Sequence, residues 1–378
     1  VSLKAINFLI DSAQNRQDHR PFTVEDISIT SKYNYLPLPN SPYALHLEDL
    51  SISTYAGSCE IAGLGIVCQE DATRGEGKFG QKNNFELYVS KFRANGIDYR
   101  RAYFDKYLKI NTISLERPEF TFYGKGNQVR NPEQKARELY KKFAKQFKTL
   151  EVGKVLLSKA YLQINKKEKE LFYLSNINGE LQHFLLDSAD HVKRSKFFFL
   201  DDLELSMQDY EATLADKLHR ISVKNFAVST KKQLLEAQQV SINCIKTEAE
   251  IVQTDSLGKI KALYAEFPLL RCVNFDLKRA YIDRDFQIEQ ALVYQPHIKI
   301  FTHWADSLSN ERPDSLIRIR DLHPFTKSFA NSIQMDIFML KDAEIEIIRA
   351  YGDEKATLKI DTASLNLYNV LINKDSKY

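Results

Sequence analysis

The residues that build most catalytic and metal sites are scarce or scattered in this chain. Its four cysteines, Cys59, Cys68, Cys244 and Cys272, form no CxxC pair, and its eight histidines make no spaced Cys/His set. The GxSxG and HExxH motifs are absent. The glycine-rich stretch GEGKFG at 75–80 lacks the Lys-Ser/Thr ending of a phosphate-binding loop. The sequence therefore predicts no enzyme, no metal site and no cofactor.

Long apolar runs and a dominant charge sign are lacking as well. The chain has no signal peptide and no apolar run of about 20 residues, the length that spans a bilayer. It carries 53 basic and 50 acidic residues without a basic stripe, which argues against nucleic acid as a partner. Only 13 glycines stand beside 23 Phe and 19 Tyr, a balance that favours ordered β structure. Because the chain begins on Val inside a strand-like stretch, we expect it to be a piece of a longer protein.

What the chain does contain is an internal repeat. Residues 98–123 align without a gap with 276–301, and seven of the 26 positions are identical. FTVEDISIT, from Phe22, matches FFLDDLELS, from Phe198, at an offset of 176, and LIDSA matches LLDSA at the same offset. VGKVLL, from Val152, aligns with LKDAEI. We therefore predict the tail of a preceding repeat and then two repeats that continue in one elongated sheet, at 1–21, 22–197 and 198–378.

A six-residue pattern recurs through both repeats: an apolar residue, two mostly polar or small residues, an apolar residue, any residue, and an apolar residue. Examples are VEDISI, LEDLSI, IAGLGI, INTISL and VKNFAV. In a regular strand the last two apolar positions share a face and the first points to the other face. A bulge at the two intervening residues would bring all three onto one face and bend the strand. The alternative is an ordinary two-faced strand in a sandwich.

Strands that bend at the same level predict a mainly β fold, a strongly curved, elongated sheet of antiparallel type (a β-groove) built from the two repeats, with a short helix in each. The clearest helical periodicity lies at 132–148, with a weaker counterpart at 324–333. Short helical turns are expected over DYRRAY and DLKRAY. Arg101 and Arg279 in these turns could bind phosphate, but ion pairing with the neighbouring aspartates (98 and 105, 276 and 283) is favoured.

Two segments, LKINTISLERPEFTFYG at 108–124 and FQIEQALVYQPHIKIFT at 286–302, resemble the AsmA/TamB-like proteins of Gram-negative envelopes. The stretch 202–229 is similar to the larger AsmA-like proteins of Bacteroidetes-type bacteria. The resemblance implies a periplasmic protein anchored to the inner membrane through a segment outside this chain. It also implies a hydrophobic groove in which phospholipid or another lipid moves between membranes, with envelope membrane proteins as further partners.

The resemblance implies that the groove wall consists of the residues that share a face in each six-residue pattern. In the first repeat these are Ile27, Ile29, Leu50, Ile52, Leu64, Ile66, Ile113, Leu115, Val155 and Leu157. Their predicted equivalents in the second repeat are Leu203, Leu205, Phe226, Val228, Val240, Ile242, Ala291, Val293, Ala343 and Ile345.

Two other functions remain open from the sequence. The first alternative is a non-catalytic scaffold or interaction protein of the cell envelope, in which the apolar faces close into a dry β core. The second is a carbohydrate-active β-solenoid enzyme, which would need carboxylates and aromatic residues on one face. Trp304 is the single tryptophan and the acidic residues are scattered, so the enzyme is disfavoured.

Overall fold

The computed structural model describes residues 1–6, 26–38, 42–68, 83–124, 146–166, 169–187, 200–214, 217–254, 261–304, 330–351 and 354–373. The predicted mainly β fold is confirmed, because these ranges contain 16 strands in one sheet and three short helices. The chain divides into two compact units, Val1–Leu205 and Ser206–Tyr378. The helices predicted at 132–148 and 324–333 fall largely outside the described residues.

The strands of the first unit pair in the order of the sequence. Neighbours are antiparallel except β6 and β7, which are parallel. The elements are β1 (Ser2–Ile6), β2 (Asp26–Pro37), β3 (Tyr43–Ser53), β4 (Ser58–Cys68), β5 (Asn83–Asn95), α1 (Tyr99–Phe104), β6 (Tyr107–Gly124), β7 (Thr149–Lys166) and β8 (Lys169–Leu186).

The second unit follows the same plan, with β9 beginning just before its boundary. A parallel pairing again follows the short helical turn, because β15 lies parallel to both β13 and β14 and antiparallel to β16. The elements are β9 (Asp202–Thr213), β10 (His219–Ser229), β11 (Leu234–Cys244), α2 (Glu248–Thr254), β12 (Lys261–Val273), α3 (Leu277–Ile282), β13 (Asp285–Tyr294), β14 (His297–Trp304), β15 (Ser332–Tyr351) and β16 (Glu354–Asn373).

Backbone conformations repeat between the two units. A positive φ costs an L-residue energy and marks a turn or a strand irregularity. The positive-φ residues of the first unit have counterparts in the second, in the same order: Tyr33/Asp209, Gly57/Gln233, Gly63/Gln239, Gly96/Asn274, Lys106/Arg284, Arg117/Gln295, Lys159/Asp342, Asn176/Thr362 and His183/Asn369. The internal repeat of the sequence is therefore also a repeat of backbone geometry.

The predicted alignment is wrong in one strand. It made Ala343 the equivalent of Val155. In the structure Val155 is the parallel partner of Ile113, and Phe338 is the parallel partner of Ala291. Because Ile113 and Ala291 are equivalent in the gap-free alignment, Phe338 is the true counterpart of Val155.

The same correction applies two residues further along the strand. Leu157 corresponds to Leu340, and not to Ile345, because their parallel partners on β6 and β13 are equivalent. The segment MDIFML at 335–340 carries the six-residue pattern that the sequence alignment overlooked. The connection before β15 is longer than the one before β7, and that extra length shifted the alignment.

The short helical turns expected in both repeats are confirmed as α1 and α3. The Asp98 carboxylate accepts a hydrogen bond from the Arg101 backbone amide at 2.9 Å. Asp276 accepts the equivalent bond from the Arg279 amide, also at 2.9 Å. An N-cap of this kind satisfies one of the free amides at a helix start.

The predicted ion pairing of the two arginines is confirmed in one turn and wrong in the other. Arg101 Nε lies 3.8 Å from Asp105 Oδ2. Arg279 Nε instead pairs with Asp285 Oδ2 at 2.6 Å, and not with Asp283. Asp285 is the first residue of β13, so this ion pair ties the helical turn to the strand that follows it.

Candidate functional site

Side chains of the first unit form rows that run across its strands. Directly paired residues on neighbouring strands point to the same face of a sheet. From β2 to β8, one such row is Ile29, Ile52, Cys59, Ala94, Ile113, Val155 and Leu181. The next row on that face is Ser31, Leu50, Ile61, Phe92, Leu115, Leu157 and Gly179. We call these the Ile29 row and the Leu50 row.

The rows on the opposite face are mostly polar. Two of them, traced through the same strands, are Ser28, Ser53, Ser58, Asn95, Thr112, Lys154 and Gln182, and Thr30, Ser51, Glu60, Arg93, Ser114, Leu156 and Glu180. Ion pairs connect neighbouring strands on this face, including Lys154 with Glu180 at 2.8 Å. The hydrogen bond from Lys154 holds the pKa of Glu180 below its usual range. One face of the unit is therefore apolar and the other is charged.

A line of irregular residues crosses these strands beside the Leu50 row. Five residues are not paired with the neighbouring strands, although the residues before and after them are paired in the same register. They are Tyr33, Glu48, Gly63, Ser90 and Arg117. Three of the five have positive φ. Beyond this line lie two further apolar rows, one of Leu47, Leu64, Val89 and Pro118, and one of Leu36, Leu45, Ile66, Leu87, Phe120, Leu162 and Leu174.

An unpaired position between β6 and β7 shows how such an irregularity changes the face to which the side chains of a strand point. The ladder between β6 and β7 skips Asn111. Ile110 and Ile113, which flank it, belong to one apolar cluster, together with Val152 and Val155. Positions three apart point to opposite faces of a regular strand. The predicted irregularity that brings the first and second apolar positions onto one face is thus confirmed for these two copies of the pattern.

The second unit shows the same arrangement. Val223 and Phe226 belong to one cluster with Val240, and Gln239 beside Val240 has a positive φ of 48°. Three apolar rows cross this unit: Val228, Leu235, Cys272, Ala291, Phe338 and Leu367; Phe226, Ala237, Leu270, Val293, Leu340 and Leu365; and Ile221, Ile242, Ala265, Ile298, Ile345 and Ile360. Each unit therefore presents a many-stranded apolar face.

The opposite face of the second unit carries one apolar patch of its own. There Ile251 of α2 packs against Ala262, Phe301 and Ile348. Glu248, at the start of α2, holds Lys299 Nζ at 2.6 Å and so fixes the helix to the sheet. Helix α2 thus covers this patch, whereas the apolar rows have no such helix over them among the described residues.

Most of the predicted wall residues lie in these rows. Of the others, Ile27 pairs with Ala5 on β1, Ala343 pairs with Ala363 on β16, and Val240 pairs with Val223. Leu203 and Leu205 lie on β9, outside the traced ladders. Six of the twenty are buried, namely Leu203, Val228, Val240, Ala291, Val293 and Ala343. The remaining fourteen are partly exposed, so their surfaces remain available to a ligand.

Several residues of the apolar face were not predicted. The prediction used only the last two apolar positions of each pattern, whereas Leu47, Ile61 and Val223 occupy first positions and lie in apolar rows or clusters. The bulge inferred from the pattern already placed the first position on this face. Phe92 and Leu270 belong to strands outside the quoted patterns, and only the register reveals them.

No catalytic arrangement emerges from the part of the chain that the structure describes. No group of three His, Cys, Asp or Glu residues there could hold a metal ion. The pairs His183–Asp201 at 2.6 Å and His297–Glu344 at 3.0 Å lie at the surface. Burial raises the pKa of the Cys272 thiol to about 11, which makes it a poor nucleophile. None of the helices in the described ranges has the length and apolar content needed to span a membrane.

Comparison with known proteins adds little. No family model matches the sequence, and no curated protein matches it. One solved structure, described as "Crystal structure of Sex pheromone staph-cAM373 precursor", has 7% sequence identity, with 90% of this chain and 85% of that chain covered, and a TM-score of 0.16. A TM-score this low carries no argument about fold or function.

Proposed function

We propose that the apolar faces of the two units bind the acyl chains of lipids and form a segment of a hydrophobic β-groove. The observation that supports this proposal is that apolar and polar rows lie on opposite faces of the sheet. Apolar residues continue from strand to strand on one face, and polar residues do so on the other. Partly exposed apolar surface of this extent usually marks a binding surface.

The composition of the rows suits a ligand with a long apolar part and no fixed polar pattern. In the Ile29 and Leu50 rows, Ser31 is the polar exception beside the weakly polar Cys59. The Ser31 hydroxyl is already engaged, because it lies 2.6 Å from Asn34 Oδ1. A small polar ligand needs several convergent hydrogen-bonding groups, which these rows do not offer. Each methylene buried against them would contribute about 0.8 kcal/mol, so affinity would grow with acyl chain length.

The cellular setting belongs to the same proposal. The segments at 108–124 and 286–302 that resemble AsmA/TamB-like proteins support a periplasmic location in a Gram-negative envelope. Anchoring to the inner membrane through another segment, and contact with envelope membrane proteins, follow from that resemblance. Phospholipid is the proposed cargo, because it is the lipid that such a groove would meet at both membranes.

Lipid extraction from the purified protein, combined with native mass spectrometry, tests the proposal. The variant Ile29→Asp, Ile113→Asp, Leu205→Asp places three charges on the apolar face. The matched control, Thr30→Asp, Ser114→Asp, Ser206→Asp, changes the next residue along each strand, on the opposite face. We expect the wild type and the control to carry phospholipid and the apolar-face variant to lose it while it stays folded. A folded, lipid-free wild type would instead favour the scaffold with a closed β core.

A further inference from the structure

Strand β16 is a long edge strand with an exposed surface. It has 20 residues and pairs with β15 along one edge. On its other edge no strand is paired among the residues that the structure describes. Leu358, Ile360, Leu365 and Tyr368 are between 40% and 67% exposed, so this strand presents several apolar side chains at its surface.

The equivalent strand in the first unit is β8. Both strands follow a parallel-paired strand, and their positive-φ residues correspond, Asn176 with Thr362 and His183 with Asn369. In the first unit the outer edge of β8 is followed in the sheet by β9. The amide of Asp201, just before β9, donates a hydrogen bond to the Gln182 carbonyl oxygen at 3.1 Å.

The junction between β8 and β9 has a second copy near the start of the chain. Leu3 on β1 is the antiparallel partner of Ile29 on β2. The counterparts of these two residues at the repeat offset are Gly179 and Leu205, which are in contact across β8 and β9. The chain therefore builds the same strand junction twice, each time between the last strand of one repeat and the first strand of the next.

We propose that the outer edge of β16 is a docking site for one further antiparallel strand, the first strand of another repeat unit with the pattern of β2 and β9. Leu365 is the counterpart of Gly179. It would therefore lie opposite the residue of the docked strand that corresponds to Leu205. The backbone amides and carbonyls supply the affinity, and the alternating apolar side chains set the register.

The edge carries one of the usual protections against strand addition, a bulge near Thr362, but β8 carries the equivalent bulge and is still followed in the sheet by β9. Natural edge strands are guarded by charges, prolines or bulges that turn them away from partners. Between Ala356 and Tyr368 the charged residues are Lys359 and Asp361, and there is no proline. Lys359 is held by Glu346 of the neighbouring strand at 3.4 Å. Because the equivalent edge of β8 has β9 beside it despite its bulge, the long edge of β16 favours pairing as well, and this inference does not depend on lipid binding.

A synthetic peptide with the sequence of residues 200–214 serves as the probe, added to the whole wild-type chain. The matched control is the same peptide with alternate backbone amides methylated, which keeps the side chains but removes strand hydrogen bonds. Fluorescence anisotropy measures binding, and hydrogen exchange identifies the protected strand. We expect the unmodified peptide to bind and to slow exchange in 354–373 at least tenfold, and the methylated peptide to do neither.

Three results would overturn the proposal: an unmodified peptide that does not bind, protection confined to another strand, or equal binding of the methylated peptide. Self-association of the protein is informative as well. Because β1 pairs with one edge of β2, β2 of a second copy can dock only where β1 is displaced; cross-links from β16 of one copy to β2 of another would support such docking, and cross-links from β16 to β16 would contradict it. Protection of β16 by phosphatidylcholine vesicles but not by the peptide would assign this surface to lipid instead.

Discussion

The side chain of Leu205 lies against the backbone of Gly179, in the place where the Leu50 row has no side chain. A methyl group on Gly179 would lie 2.7 Å from Leu205 Cδ2 and 3.2 Å from Leu157 Cδ1. Because the glycine has no side chain, leucines from the two flanking strands both approach this position on β8. The apolar row therefore continues across this strand.

This packing predicts that alanine at two glycines of the first unit lowers the free energy of unfolding by different amounts. At Gly179 the nearest atoms are the ends of leucine side chains, which can move, so Gly179→Ala should cost about 1 kcal/mol or less. At Gly153 a Cβ would lie 2.8 Å from the Asn111 carbonyl oxygen, a backbone atom that cannot move aside as the end of a side chain can. Gly153→Ala should therefore cost about 2–3 kcal/mol. Urea unfolding of both variants measures the two costs, and the reverse order would contradict this packing.

The correspondence of positive-φ residues between the two units predicts a stabilising substitution. Gln239 has a φ of 48°, whereas its counterpart in the first unit is Gly63. Glycine adopts this conformation without the penalty that a Cβ brings, so Gln239→Gly should raise the free energy of unfolding by about 0.5–1 kcal/mol. The neighbouring Gln238 occupies a regular ladder position, and Gln238→Gly should lower it by a similar amount. Thermal and urea unfolding of the pair provide the check; destabilisation by Gln239→Gly would refute the assignment.

Asp26 gives a prediction about pH. Its carboxylate accepts hydrogen bonds from the Tyr55 amide at 2.7 Å and the Thr54 hydroxyl at 2.9 Å. The bond from the Tyr55 amide is the main cause that lowers the pKa of Asp26 below 3.8; burial opposes it, and the bond from Thr54 adds to it. A lowered pKa in the folded state means that the stabilisation is complete above the unfolded-state pKa. It is lost as the pH falls through the folded-state pKa.

Asp26→Asn should therefore lower the free energy of unfolding at pH 7 by about 1–2 kcal/mol, the typical cost of weakening such hydrogen bonds. The difference in the free energy of unfolding between wild type and variant should narrow as the pH falls below about 4, because the Asp26 carboxyl of the unfolded chain is protonated there, before that of the folded protein. Urea unfolding at several pH values measures this. The exposed Asp49→Asn serves as the control, and a gap that stays constant down to pH 3 would show that Asp26 does not act through its charge.

The sequence predicted the mainly β fold and the repeated strand geometry, because both depend on local spacing. Ile110 and Ile113 share a cluster as the three-residue spacing and its intervening polar pair suggested. The capped turns at Asp98 and Asp276 were likewise visible as an aligned motif. Information of this kind is contained in a few consecutive residues.

Long-range pairing was harder to predict. Val155 on β7 pairs in parallel with Ile113 on β6. The two strands are joined by a long connection, and the length of that connection in the sequence does not reveal which residues of the two strands become partners. For that reason Ala343 was equated with Val155, and Phe338 was missed. Phe92 joins the Leu50 row through its partners Ile61 and Leu115, two strand pairings that no local pattern specifies.

Photo-crosslinking from adjacent positions of one strand tests the lipid proposal most directly. A benzophenone amino acid replaces either Ile113, in the Ile29 row, or Ser114, on the polar face, and each variant is irradiated with the lipid it carries from the cell. The proposal predicts a phospholipid adduct at position 113 and little or none at 114, as read by mass spectrometry of the folded variants. Equal labelling at both positions, or labelling at 114 alone, would contradict the proposal that the apolar face is where lipid binds.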